Sequence, residues 1–276
     1  MAGCHPIVFF AMLIPFAVVP LGMLALMRCG DLLRRNFRNQ AVITSGGVAI
    51  YASFALQLAI ACIAIIHLAS LCSLIALVAG WFLFVGLIDD IFGDRVWRGL
   101  SGHIRALLHQ RRITTGLIKA IGGILGTAVV VLWHSGQIAK PPLESLFGIA
   151  LICLSANGIN LLDKRPSRAL KVFWVLCGCS FALADSSGRC IVAMLAASTL
   201  PYAFYDFTCR AMLGDAGANM LGAALGSFIW AATPLKFQLV VLALLVALHV
   251  YAEKRSLTEA IASSKVLSWF DRIGVR

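Results

Sequence analysis

Gly86-Leu-Ile-Asp-Asp-Ile-Phe-Gly-Asp94 sets two adjacent carboxylates, Asp89 and Asp90, at the end of an apolar run. Residues 70–88 are nearly all apolar and long enough to enter a bilayer as a helix. One Asp at the bilayer centre costs roughly 2.5–3.5 kcal/mol on insertion scales, so two together are expected at the water boundary. The stretch therefore reads as the mouth of a transmembrane helix facing an aqueous cleft. A solvated helix end accounts for one Asp more easily than for two. The competing reading is a metal or proton-transfer site.

The rest of the chain fits a membrane setting. It has 276 residues, 61% hydrophobic and 13% charged, against about 25% charged in soluble domains. Mean hydropathy is +0.92. Hydropathy predicts an all-α polytopic transmembrane bundle over residues 1–252. About nine spans are expected, near 6–27, 43–68, 70–89, 115–133, 144–162, 169–184, 190–207, 217–233 and 237–252. Residues 253–276 are expected to form a cytoplasmic amphipathic tail. The first run is too long for a signal-peptide core and has no basic residues before it, so it is kept as a span. With the N-terminus outside, 20 of the 23 basic residues fall on the inner side, leaving Lys140, Arg189 and Lys236 outside. The positive-inside rule then predicts a cytoplasmic working face in the plasma (inner) membrane. Nine cysteines stand singly without a C-x-x-C pair, so a disulfide or zinc framework is not expected.

Several polar points share that inner side. Ser45-Gly46-Gly47 opens the second span, where paired glycines suit close helix packing or a phosphate. The inner loop from Arg95 to Lys119 contains Ile104, Leu107 and Leu108 at helical spacing, which predicts a short interfacial helix on anionic lipid. Lys119 either snorkels to the interface or reaches the Asp pair or a substrate phosphate. Asn157, Asn160 and Asp163 step by three along one face of the fifth span. Lys164-Arg165-Pro166-Ser-Arg168-Ala-Leu-Lys171 follows, either as a topology signal or as a diphosphate clamp. Asp215 lies between Gly214 and Gly217, as a helix cap or facing an anion site. Asp206 reads as structural. Gly222 and Gly226 form a small-x-x-x-small packing pair. Ser256-Leu-Thr-Glu259 is a capping-box signature opening a surface helix in the tail.

Acids from separate segments on one membrane face, among basic loops, suit a hard cation completed by substrate phosphate. No P-loop, dinucleotide fingerprint, zinc-protease or serine-hydrolase motif occurs. The residues alone point to metal-assisted phosphoryl or phospho-glycosyl transfer. The basic charge follows membrane sidedness, so nucleic acid is not expected as a partner.

The ordered set Gly86-x-x-Asp89-Asp90, Asn157-x-x-Asn160-x-x-Asp163 and Leu213-Gly-Asp215-x-Gly217 resembles the polyprenyl-phosphate N-acetylhexosamine-1-phosphate transferases. That superfamily includes phospho-N-acetylmuramoyl-pentapeptide transferase. Arg38 to Gly47 looks like its first cytoplasmic loop, so the resemblance spans roughly residues 34–226. It implies transfer of a sugar 1-phosphate from a UDP-sugar to undecaprenyl phosphate, with Mg²⁺ and release of UMP. Asp215 would match the family's metal-binding carboxylate, and Asp89 and Asp90 its acidic pair for metal and lipid phosphate. Asn160 and Asp163 would match the nucleotide-sugar and catalytic motif. Lys164-Arg165-Pro166 stands where the family usually continues with Gly and often a second Asp. Resemblance and residues together make Asp89, Asp90 and Asp163 the expected catalytic groups, and Asp215 with Asp89 the expected metal ligands. Asn157, Asn160, Lys119, Arg165 and Arg168 are the expected substrate contacts. A homodimer is left open. The alternatives are a transporter or lipid-carrier flippase, and an inactive paralogue acting as scaffold.

Overall fold

A computed structural model describes residues 6–29, 32–36, 38–93, 99–111 and 113–275. The helices in order are α1 (Pro6–Ala11), α2 (Ile14–Leu26), α3 (Gly47–Ala64), α4 (Ala69–Phe92), α5 (Gly99–Gln110), α6 (Thr115–Ser135) and α7 (Pro142–Leu162). They continue as α8 (Arg168–Leu183), α9 (Ser186–Phe207), α10 (Gly214–Ala232), α11 (Leu235–Lys254), α12 (Leu257–Ser263) and α13 (Lys265–Arg272). Between α2 and α3 lies an antiparallel hairpin of β1 (Leu33–Arg35) and β2 (Ala41–Ile43). The all-α expectation missed this hairpin, whose three-residue strands are too short to leave a period in the sequence. Cys4, Asp94, Arg95, Arg98, Arg112 and Arg276 lie outside the described residues, as do the side chains of Ile104 and Arg105.

The bundle is built around α10. Sixteen of its 19 residues are buried, which makes it the central element. Its small residues explain how this is achieved. A Cβ at Gly222 would strike the Ser155 carbonyl of α7, and one at Gly226 would crowd Ile152 and Ser155. On the other flank, Gly86 of α4 lies against the Asp215–Ala216 backbone, and Gly47 of α3 against Gly217. Close backbone approach replaces large side chains as the source of packing contact. The far end of α10 is tied by Trp230, whose indole donates to the Glu144 carbonyl (2.9 Å). The Gln238 amide donates to Trp230 O and Thr233 O (3.0 and 2.7 Å), satisfying carbonyls at the helix terminus.

Among the described residues, seven stretches are long and apolar enough to cross a membrane: Pro6–Leu26, Gly47–Ala64, Ile66–Phe92, Thr115–Ser135, Pro142–Leu162, Ser186–Phe207 and Leu235–Lys254. Two of the nine expected spans, α8 and α10, are not among them. α8 has only 16 residues. α10 has 19, but carries Asp215, Asn219 and many small residues, as a helix shielded by its neighbours is free to do. Cysteines 29, 62, 72, 153, 177, 179 and 209 are free, but Cys190 is disulfide-bonded, against expectation. The tail forms two short helices instead of one, each capped by a serine hydroxyl: Ser256 for α12 and Ser264 for α13.

Candidate functional site: an acidic cluster at one end of the bundle

The last turns of α4 and α7 meet the first turns of α6, α8 and α10, and the acidic residues gather where they do. Asp89 and Asp90 belong to the last turn of α4. Their side chains diverge, as about 100° per residue requires.

Asp90 caps α10 across space. Its two carboxylate oxygens accept from the Asp215 and Ala216 N–H groups (2.9 and 3.0 Å), and the Ser45 hydroxyl donates to it at 2.6 Å. These N–H groups have no partner within their own helix, and the positive end of the helix dipole favours the carboxylate. Gly214 allows the approach. Its φ is +69°, and a Cβ there would come within 2.6 Å of Asp90 Oδ2. Ser45 is placed by an extension of the hairpin, because Ile43 bridges to Ala211, Met212 N–H donates to Ile43 O (2.8 Å) and Gly46 N–H to Met212 O (3.2 Å). Arg34 on β1 donates to Asp90 O at 2.8 Å, satisfying a carbonyl at the end of α4. The missed hairpin is thus a bracket for Asp90.

Asp89 and Asp215 converge on one cation, Lys119 of α6. The ammonium donates to Asp89 Oδ2 at 2.8 Å and also to Asp215 Oδ2. Asp215 is further fixed by Asn219, whose amide donates to the Asp215 carbonyl at 2.6 Å. The two expected metal ligands are therefore adjacent, and a lysine side chain lies between them. Among the described residues no group of three or more His, Cys, Asp and Glu is placed to hold a metal ion. Two carboxylates still fit a Mg²⁺ that draws its remaining ligands from phosphate and water, provided Lys119 moves aside.

Asp163 sits in a second, adjoining niche. It follows the end of α7, half-buried, beside a cavity of about 30 Å³ lined in part by Asn36, Arg165, Asp206 and Met212. Burial, and then the negative charge of Asp206, push the Asp163 carboxyl well above the usual carboxylate range. Asp215 and Asp90 act on it in the same direction, so the two niches are within electrostatic reach of each other. Asp206 is 3% exposed and accepts from the Ser167 N–H at 3.0 Å, bracing the turn into α8. The Tyr202 hydroxyl is buried beside these acids and has no hydrogen-bond partner among the described residues. The bond to Ser167 fits the structural reading of Asp206 from sequence, whereas Tyr202 was not singled out there. The one available signal was an Asp near the end of an otherwise apolar run.

The remaining expected contacts separate. Asn160 is half-buried in the last turn of α7, whereas Asn157 is exposed one turn earlier. Arg165 is exposed and lines the Asp163 cavity. Arg168 is only 4% exposed and forms a two-pronged ion pair with Asp271 of α13, at 2.7 Å for both bonds. Lys171 donates to Phe270 O and Asp271 O, both at 2.8 Å, at the end of the same helix. Half of the basic segment expected to hold a diphosphate is thus engaged by the tail. Asp271 lay too far along the chain for spacing to suggest it.

Comparison of the chain with protein-family models and with curated proteins finds no match.

Proposed function

We propose that this chain is a polytopic enzyme transferring a sugar 1-phosphate from a UDP-sugar to undecaprenyl phosphate at the cytoplasmic membrane face. The observation that carries the reading is the convergence of Asp89 and Asp215, from separate helices, on one cationic point at the bundle end that also holds Asp163. In the net reaction a lipid phosphate oxygen bonds to the phosphorus bearing the sugar, and the bond from that phosphorus to UMP breaks. Asp89 and Asp215 would hold Mg²⁺, which when bound would offset the charge of the diphosphate. Lys119, released from the carboxylates, would pair with a phosphate oxygen, and Arg165 beside the Asp163 cavity would do the same. Asp163, whose carboxyl burial and the charge of Asp206 hold above the usual carboxylate range, would hold or hand over a proton. Asp90 acts by positioning, since its bonds to the first turn of α10 fix where Asp215 stands. Asn160 contacts the nucleotide sugar in this reading.

The proposed topology has nine crossings, with the N-terminus outside and the C-terminus inside. The 20-to-3 basic asymmetry supports it.

One observation favours a second reading. The Lys119 ammonium already neutralises Asp89 and Asp215, which suits an inactive relative serving as a scaffold. Purified protein with undecaprenyl phosphate, Mg²⁺ and a panel of labelled UDP-sugars decides between them. UMP release with labelled lipid is expected, and no turnover with any sugar would favour the scaffold.

A further inference from the structure

The α12–α13 pair lies over a cleft of about 310 Å³, within the size range of small-ligand sites. Arg38, Arg165, Arg168 and Arg272 line it, together with a single carboxylate, Asp271. The arginines come from the β1–β2 turn, the α7–α8 connection, the start of α8 and the end of α13. Such convergence of guanidinium groups suits phosphate, whose oxygens accept paired N–H bonds from the planar fork.

The cover of the cleft adds the second observation. While Asp271 pairs with Arg168 on the inner side, α13 leaves Val266 and Trp269 exposed, at 72 and 65%, and Ile273 just past its end is exposed too, at 42%. Their spacing of three and four residues forms one apolar stripe. A helix with such a stripe and a charged opposite face lies at the plane of lipid headgroups. The cleft beneath it is then at headgroup depth.

We propose that this arginine-lined cleft, which borders the Asp163 cavity through Arg165, is a second anion site that takes a phosphate-bearing group on Arg38 and Arg272, and that the bound phosphate holds the tail against α8. The proposal does not rest on the transferase reading. A lipid headgroup and a soluble phosphate would present the same chemistry, so the test separates them. Hydrogen exchange at residues 257–273 is measured on the full chain in phosphatidylcholine nanodiscs, in nanodiscs containing phosphatidylglycerol, and in phosphatidylcholine nanodiscs with added pyrophosphate. A ligand at about ten times its dissociation constant should slow exchange there roughly tenfold. Slowing with phosphatidylglycerol assigns a lipid headgroup, and slowing with pyrophosphate assigns a soluble phosphate. No slowing with either overturns the proposal. The double variant Arg38→Gln/Arg272→Gln should lose the response while exchange in α10 stays slow, and a response retained in full would place the binding elsewhere and overturn the proposal. Should that variant fail to fold, the wild-type comparison alone decides.

Discussion

Asp89 and Asp90 are neighbours in sequence with different partners, and their variants should differ in kind. Asp90→Asn turns one acceptor into a donor facing N–H groups, leaving a buried backbone donor unsatisfied. That defect should cost about 1–3 kcal/mol, seen as a lowered Tm in detergent. Asp89→Asn should cost less, because Lys119 keeps Asp215 as a partner; equal losses would contradict the assignment of Asp90 as a cap. Lys119→Gln makes the complementary test. It leaves two carboxylates facing each other without a cation, so the variant should melt lower than wild type and gain more Tm from added Mg²⁺. An equal or absent Mg²⁺ response would argue against metal binding between Asp89 and Asp215. The four acids named from sequence, Asp89, Asp90, Asp163 and Asp215, were legible because a carboxylate next to an apolar run is costly without a purpose. Which of them caps and which pairs was not legible, since that depends on Gly214 letting another helix approach.

At the scale of elements, the hairpin and the tail are what sequence patterning hid. The strands are three residues each, and the docking of α13 depends on a partner 103 residues away. The packing of α10 was easier, because Gly222 and Gly226 carry a recognised spacing. Gly222→Leu should disrupt the bundle severely, since even a Cβ would overlap the Ser155 backbone, which cannot rotate away. Folded yield and Tm measure this, and a normal melt would contradict the contact. The tail responds to pH through Asp271. Its carboxyl is held below the ordinary carboxylate range by hydrogen bonds from Arg168, against the opposing effect of burial. A depressed native pKa means the stabilisation is fully present above the unfolded value, about 3.9, and is lost as pH falls through the native one. Docking should therefore persist at neutral pH and weaken only in strong acid. Asp271→Asn should release the tail at neutral pH, losing charged hydrogen bonds worth about 1.5–3 kcal/mol. A spin label at exposed Ser263 reports both effects as a gain in mobility. An unchanged spectrum in the variant would show that the ion pair does not hold the tail.

The whole molecule turns on whether α8 and α10 cross the membrane. At 1.5 Å per residue their 16 and 19 residues span about 24 and 28 Å, slightly under the roughly 30 Å hydrocarbon core. Low apolar content is no obstacle for α10, because protein surrounds it where lipid would otherwise be. Connections also favour crossing. Only Ala184 and Asp185 separate α8 from α9, which pack together, and only Thr233 and Pro234 separate α10 from α11, so neither connection leaves room for a further segment between the two helices. With the N-terminus outside, as proposed, the seven apolar stretches and the nine crossings make opposite statements about two connections, although both would put the C-terminus inside. With nine crossings, Asp185 is outside and Arg210 inside, on the face that holds Asp89 and Asp163. With seven, α8 stays inside and α10 outside, so the two positions exchange sides and Asp215 is parted from the other acids. Alkaline phosphatase fused after Asp185 should thus be active and a fusion after Arg210 inactive, with a fluorescent protein at the same two points giving the inverse. The reversed pattern would reject the nine-span arrangement, and with it an acidic cluster on one membrane face.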